Sequence, residues 1–459
     1  MQKARYTRKY MKSLIINKRI ARWIIAGILI YMPLHVFMSN WFGSAFNVLD
    51  IAKVWKDVAV FGIFLLFLFD ALKDKTLKPL LKNTTVRWIL AYLSLLLLYT
   101  ALFHNTTQAR LLGLVYDARL FTAFFIGILA ARKLGTTDKA WLMRWVVVVA
   151  MGVAMLGIVQ VAALGNGVLS SFGYNRATGT PPAFYINDQT ETNERAFATL
   201  KDPNSLGLYL ILPLSLLAGS LVLQKNKVGQ GNKQKIIAGC AILLLCLALT
   251  YSRSAVIGLT GAFLVILNMY RKEQGSALFR SRKFQKMVAG LLVILFAVFI
   301  GVRNSDFVQT TIFHIGEKNS ATSNSLRVDV LKDSLELAQD KPFGYGVGAA
   351  GPVSVKNTGG LSIISENSYL QALLETGIFG FALLVFILIR VGKLLSTSKD
   401  KYALPLLASL FGISIAGLFV HAWMNEAVAY TFWLLCGLVL SDQLMPSATT
   451  KRQRATKRP

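Results

Sequence analysis

The 50 Lys and Arg residues of this 459-residue chain fall between its apolar runs in a pattern that leaves few folds open. Reading those runs as membrane helices, with the N-terminus in the cytoplasm, gives about twelve spans of roughly 15–24 residues. The connections then sort by charge. Cytoplasmic segments hold about 36 Lys/Arg and about 6 Asp/Glu, and the opposite side holds about 14 and about 16. A positive cytoplasmic face accounts for the net charge of +28 without a nucleic-acid partner, for which no recognition motif is present. With 54% hydrophobic residues and a mean hydropathy of +0.52, the expectation is an all-α polytopic membrane bundle.

The expected organisation is a basic cytoplasmic N-terminus at 1–19, a multi-span membrane domain at 20–441 and a basic cytoplasmic tail at 442–459. The apolar run after the leader is too long for a signal peptide and lacks a clean small-residue cleavage site, so it reads as a retained first span. Two connections are long, 165–203 and 304–366, and both fall on the extracytoplasmic side. The stretch 236–270 has basic flanks at both ends and therefore must cross and return, with Arg253 at a tight outer turn. Cys240, Cys246 and Cys436 lie inside spans and read as packing residues.

Charged groups beside apolar surroundings are costly unless paired, which makes them functional candidates. Arg253 is either an interfacial arginine reaching lipid phosphate or a cationic contact for an anionic substrate. On a helical wheel from Leu326 to Asp340, at about 100° per residue, Arg327 falls in the apolar arc formed by residues such as Val330, Leu331 and Leu335. Such an amphipathic helix should lie on the outer surface of the bundle, with Arg327 turned towards the membrane domain or paired there with a carboxylate. Arg195 lies near the helix start at Pro203-Asn204, where free backbone N–H groups also favour an anion; Asn204 either serves that site or helps the turn.

Glu366 opens the segment Glu366-Asn367-Ser368-Tyr369-Leu370 and reads equally as a first-turn carboxylate or as a general base. The run Pro342-Phe343-Gly344-Tyr345-Gly346-Val347-Gly348 brings backbone close to a ligand or simply turns the chain. His35 and His104 read as packing or interface residues, His421 and Trp423 as interfacial residues, and His314 as an incidental loop histidine. Tyr174, Arg176 and Tyr185, with Asp188, Glu191 and Glu194, suit sugar binding or a plain solvated loop; the acids lack compact metal-ligand spacing.

The order of these pieces resembles the bacterial O-antigen ligase/polymerase superfamily over roughly residues 190–380. The matching elements are Arg195 through Pro203-Asn204, the Ser252-Arg253-Ser254 turn, Arg327, the glycine-rich run, and Glu366-Asn367-Ser368-Tyr369-Leu370 through Glu375-Thr376-Gly377. The resemblance implies a glycosyltransferase of the bacterial cytoplasmic membrane, with both termini cytoplasmic. It would transfer a glycan from undecaprenyl pyrophosphate to an acceptor sugar hydroxyl on the extracytoplasmic side, without a metal or other cofactor. By the same resemblance, arginines of the Arg195, Arg253 and Arg327 type contact the pyrophosphate. Glu366 is the expected base, and Asn204, Asn367, Tyr369 and Gly346 are the expected binding residues. Ligases of this family carry a histidine where this chain has Glu366, which tilts the expectation towards a polymerase. The alternative class is a transporter or flippase of an anionic lipid-linked glycan, although the candidate charges gather at one surface and not at the midplane. A third reading, a glycosyltransferase of another kind using Asp50 or Asp57, competes with simple pairing of those acids to Lys53 and Lys56.

Overall fold

A computed structural model describes residues 16–187, 191–223, 230–274 and 318–445. Residues 287–303, one of the twelve apolar runs expected to span the membrane, together with His314, Asp188 and most of both basic ends, lie outside those residues. The helices are α1 (Lys18–Tyr31), α2 (His35–Ala45), α3 (Leu49–Lys73), α4 (Thr84–Leu102), α5 (Thr107–Ala131) and α6 (Thr136–Val159). They continue with α7 (Pro203–Leu223), α8 (Gln230–Leu249), α9 (Arg253–Gln274), α10 (Lys318–Asp340), α11 (Ser368–Thr397), α12 (Ala403–Ala416) and α13 (Glu426–Leu444). A two-stranded antiparallel hairpin, β1 (Tyr185–Asn187) and β2 (Thr192–Glu194), pairs Tyr185 with Glu194 inside the first long connection.

Among the described residues, eight helical segments are long and apolar enough to cross a membrane, and Arg253–Met269 and Ala403–Ala416 are shorter apolar helices. The chain is an all-α, multi-pass membrane protein. The first expected span is broken: Pro33 sits in a short 3-10 segment between α1 and α2, where its missing N–H interrupts the α-helical ladder. At α10 the helix is present, but Leu331 and Leu335 are exposed while Ser334 is buried. Val330, Leu337 and Ala338 are half-buried beside Ser334, so the helix turns part of its apolar arc inward and leaves the Leu331–Leu335 edge outside. The Arg327 backbone position shares the helical face of Ser334, seven residues on.

α13 is buried on nearly every side and forms the axis of the bundle. It crosses α5 at paired glycines. A Cβ on Gly127 would meet the Leu434 carbonyl, and one on Gly437 would meet the Phe124 carbonyl, so the two backbones touch because neither residue carries a side chain.

Connections from many helices meet at one end of the bundle. The Thr199 hydroxyl donates to Pro33 O (2.7 Å), and Gln160 Oε1 accepts from the Ala198 N–H (2.8 Å). Asn105 Nδ2 donates to Tyr345 O (3.0 Å), and the Ser368 N–H donates to Gly417 O (2.9 Å). The link that fixes this end is a break in α11 at Gly377 (φ 63°, ψ −169°). The break takes the Ile378 N–H away from Leu374 O and gives it to Pro342 O (2.9 Å). The freed carbonyls of Leu374 and Glu375 accept instead from Tyr345 N–H (2.7 Å) and Gly346 N–H (3.0 Å). The glycine-rich run thus replaces one turn of helix ladder. A Cβ at Gly377 would stand 2.5 Å from Pro342 O, and the backbone there is one that L-residues avoid.

Gly377→Ala should therefore cost about 1–3 kcal/mol, seen as a lower Tm of the detergent-solubilised protein. Gly152→Ala, in a helix with nothing near its added Cβ, should leave Tm unchanged or raise it.

Candidate functional site

A cavity of about 610 Å³ opens where those connections meet. Leu112 and Tyr116 of α5 form one wall; Lys201, Asp202, Asn204 and Ser205 at the start of α7 form another. Pro352, Val353 and Lys356 come from the segment after the glycine-rich run, followed by Ile364 and Glu366, while His421 and Met424 to Glu426 come from the connection into α13.

Local chemistry explains each wall. Asp202 caps α7 by accepting from the Ser205 N–H (2.8 Å) and hydroxyl (2.9 Å), which turns the helix start into the cavity. Asn367 caps α11, accepting from the N–H groups of Tyr369 (2.8 Å) and Leu370 (3.1 Å) while its amide donates to Leu418 O (2.9 Å). Glu366, one residue earlier, has φ 47°. A left-handed conformation at a non-glycine residue costs about 1–3 kcal/mol and persists where surrounding structure enforces it. Here the cap on one side and the re-entry of the chain on the other hold an exposed carboxylate at the cavity.

Arg195 is half-buried beside this wall. Its Nε donates to Thr250 O (2.9 Å) and its Nη2 to Asn204 Oδ1 (3.3 Å). Thr250 begins the turn, with Tyr251 at φ 50°, that leads into exposed Arg253 at the first position of α9. The structure therefore brings Asn204 and Glu366 to one cavity, joins Arg195 to Asn204, and ties Arg195 to the turn that carries Arg253. Arg327 is placed on α10 by its backbone; its side chain lies outside the described ones. Asn367 acts as a cap, and the Tyr369 hydroxyl donates to Ser414 O (2.9 Å). Gly346 gives its N–H to Glu375 O and packs against Phe103, away from the cavity lining.

Two groups had no part in the expected site: the sequence offered Lys56 only as a pairing partner of Asp57, and His421 only as an interfacial residue. Behind the cavity, Lys56, buried in α3, pairs with Asp57 (2.9 Å) and Glu426 (3.2 Å), and buried Arg119 of α5 pairs with Glu426 (3.4 Å). The Tyr430 hydroxyl donates to Asp57 (2.5 Å), and Arg119 lies 3.9 Å over the Tyr116 ring. Two cations face two anions, so the cluster is neutral in sum and forms the cavity floor through Glu426. Asp117 and Arg119 stand within the apolar run of α5, a signal the intramembrane-charge argument could have used. The second group is His421. Both its ring nitrogens are buried without a hydrogen-bond partner, and burial, then Lys201, pull its pKa down to about 4. Among the described residues no three His, Cys, Asp or Glu side chains form a cluster able to hold a metal.

Residues 238–385 match the family model described as O-antigen ligase. The match bears out the superfamily resemblance over that segment and supports an O-antigen ligase/polymerase-like role in membrane glycan assembly. The matched segment contains Arg253, the glycine-rich run and Glu366, whereas Arg195, Asn204 and His421 fall outside it. No curated protein matches the chain.

Glu426→Ala would leave Lys56 and Arg119 buried with Asp57 as their shared counter-charge. Breaking a buried pair in this way costs about 3–5 kcal/mol, and a large drop in Tm should follow in a thermal unfolding series.

Proposed function

We propose that the chain transfers an oligosaccharide from a polyprenyl pyrophosphate to an acceptor sugar hydroxyl at the extracytoplasmic surface, as a polymerase or ligase of cell-surface glycan. The observation that carries this reading is the shared cavity of Glu366 and Asn204, with Arg195 hydrogen-bonded to Asn204 on its wall. The bond that breaks joins the anomeric carbon to a diphosphate oxygen, so negative charge grows on the leaving group. Guanidinium groups bind such oxygens in a bidentate manner and stay charged at any relevant pH. Arg195 and Arg253 are assigned to that charge, with Lys201 and Lys356 adding cationic character to the cavity. Arg327 is assigned to the same diphosphate from the α10 side.

Fixed cations at the leaving oxygens favour the transition state over the bound donor. The acceptor hydroxyl attacks the anomeric carbon from the opposite side, and its proton passes to the Glu366 carboxylate. A carboxylate is a sufficient base for sugar transfer. Asn204 holds Arg195 in register, and Asn367 fixes the backbone that presents Glu366. In this reading the donor, the acceptor and the surrounding lipid are the partners, and no cofactor takes part.

Reconstitution with a polyprenyl-pyrophosphate oligosaccharide tests the proposal. Wild-type protein should lengthen or transfer the glycan, and chain-length analysis separates polymerisation from transfer to a second acceptor and from mere translocation. Arg253→Ala and Arg327→Ala should each lower turnover by about 100-fold or more while the protein remains folded. Arg195→Lys keeps the charge and loses the fork, so a measurable deficit is expected. Glu366→Gln should slow transfer by about 100-fold with donor binding retained; equal loss of both would make Glu366 a structural carboxylate. Turnover should survive EDTA.

A further inference from the structure

His421 lies in the connection between α12 and α13 and lines the same cavity as Glu366 and Asn204. Its backbone is well held: the His421 carbonyl accepts from the Met424 N–H (3.2 Å), and the flanking Ala422 N–H donates to Val420 O (2.8 Å). Its ring is not. Nδ1 and Nε2 are both buried and neither meets a partner among the described residues. A buried polar atom left unsatisfied is destabilising, so an imidazole with two such atoms on a cavity wall is a place for a ligand that brings both a donor and an acceptor.

We propose that His421 binds the acceptor sugar, one ring nitrogen accepting from a sugar hydroxyl and the other ring N–H donating to a neighbouring sugar oxygen. The inference rests on the glycan-transfer reading and assigns the acceptor half of its cavity. Neighbouring sugar oxygens match a neutral imidazole, which always presents one donor and one acceptor. The diphosphate of the donor needs positive charge, and burial beside Lys201 keeps the ring neutral at ordinary pH. The cavity's cations, Lys201 and Lys356, with Arg195 behind Asn204, supply the charge that His421 does not. Asp202 is committed to capping α7 and does not compete with His421 for the acceptor.

The test uses the reconstituted full chain with donor held constant and acceptor varied. His421→Phe keeps the ring volume and removes both polar atoms, and should raise the acceptor KM by about tenfold or more while leaving the donor KM unchanged. His421→Asn restores one donor and one acceptor and should recover part of the loss. A fall in kcat at unchanged acceptor KM, an equal loss for donor and acceptor, or no change in either variant overturns the proposal. A second measurement is independent of turnover: saturation-transfer NMR with the organism's own oligosaccharide repeat, released from its lipid. Wild-type protein should bind the free repeat and His421→Phe should not. Binding by wild type that is lost in His421→Phe, without any transfer, would sink the transferase reading and leave the sugar site standing. No binding by the wild type, or equal binding by both, removes the site itself.

Discussion

The exchange between the broken helix α11 and the glycine-rich run holds the candidate site together. Ending a helix within a bundle leaves buried carbonyl groups that must find donors. At Gly377 the donors are the N–H groups of Tyr345 and Gly346, and the Ile378 N–H returns the favour to Pro342 O. One further bond anchors the run, from the Gly348 N–H to the buried Glu375 carboxyl (2.9 Å). The chain that leaves this junction supplies Pro352, Val353 and Lys356 to the cavity, and Asn357 locks it to α5 through the Thr106 N–H (2.9 Å). If the junction slips, one whole wall moves. Glycine at 344, 346 and 348 is required by that geometry, since all three have positive φ and closely packed surroundings.

Charge is distributed around the cavity according to depth. At the floor, Lys56 and Arg119 are matched by Asp57 and Glu426, so burial is compensated pair by pair. On the walls, Lys201 and Lys356 are exposed and their charge is directed at whatever enters. A neutral floor beneath cationic walls suits a ligand whose charge is at one end and whose remainder is a sugar chain.

Much of the fold was legible because lipid leaves only two ways to satisfy a backbone, and long apolar runs select the helical one. That Asn204 and Glu366 share a cavity, with Arg195 bonded to Asn204, follows from their places where apolar runs meet polar connections. The glycine-rich run was not interpretable alone: glycines mark a close backbone approach without naming what approaches, and here it is another segment of the same chain. The wheel on α10 placed the inward face within the apolar arc, where Val330, Leu337 and Ala338 are half-buried, but did not show which edge of that arc stays outside. Its side chains do not encode which neighbour they meet, and Ser334 packs inward where Leu331 and Leu335 do not. Asp117 and Arg119 were hidden by the hydropathy of α5, which averages two charges into an apolar helix.

His421 illustrates a different limit. Read along the chain, a histidine in a short connection beside Trp423 belongs to the membrane interface, because its neighbours in sequence are apolar. In space it lies near Lys201 and shares a cavity with Glu366, both contributed by segments far away in the chain, and only folding makes that connection. The caps at Asp202 and Asn367 and the ion pairs at Glu426 each stabilise an element while consuming the polar atoms that a ligand would need. What remains uncommitted after those bonds are counted is a better guide to the binding surface than residue type. By that measure a histidine with two unsatisfied nitrogens outranks a better-conforming motif residue such as Asn367 or Tyr369, whose hydrogen bonds are spent on the fold.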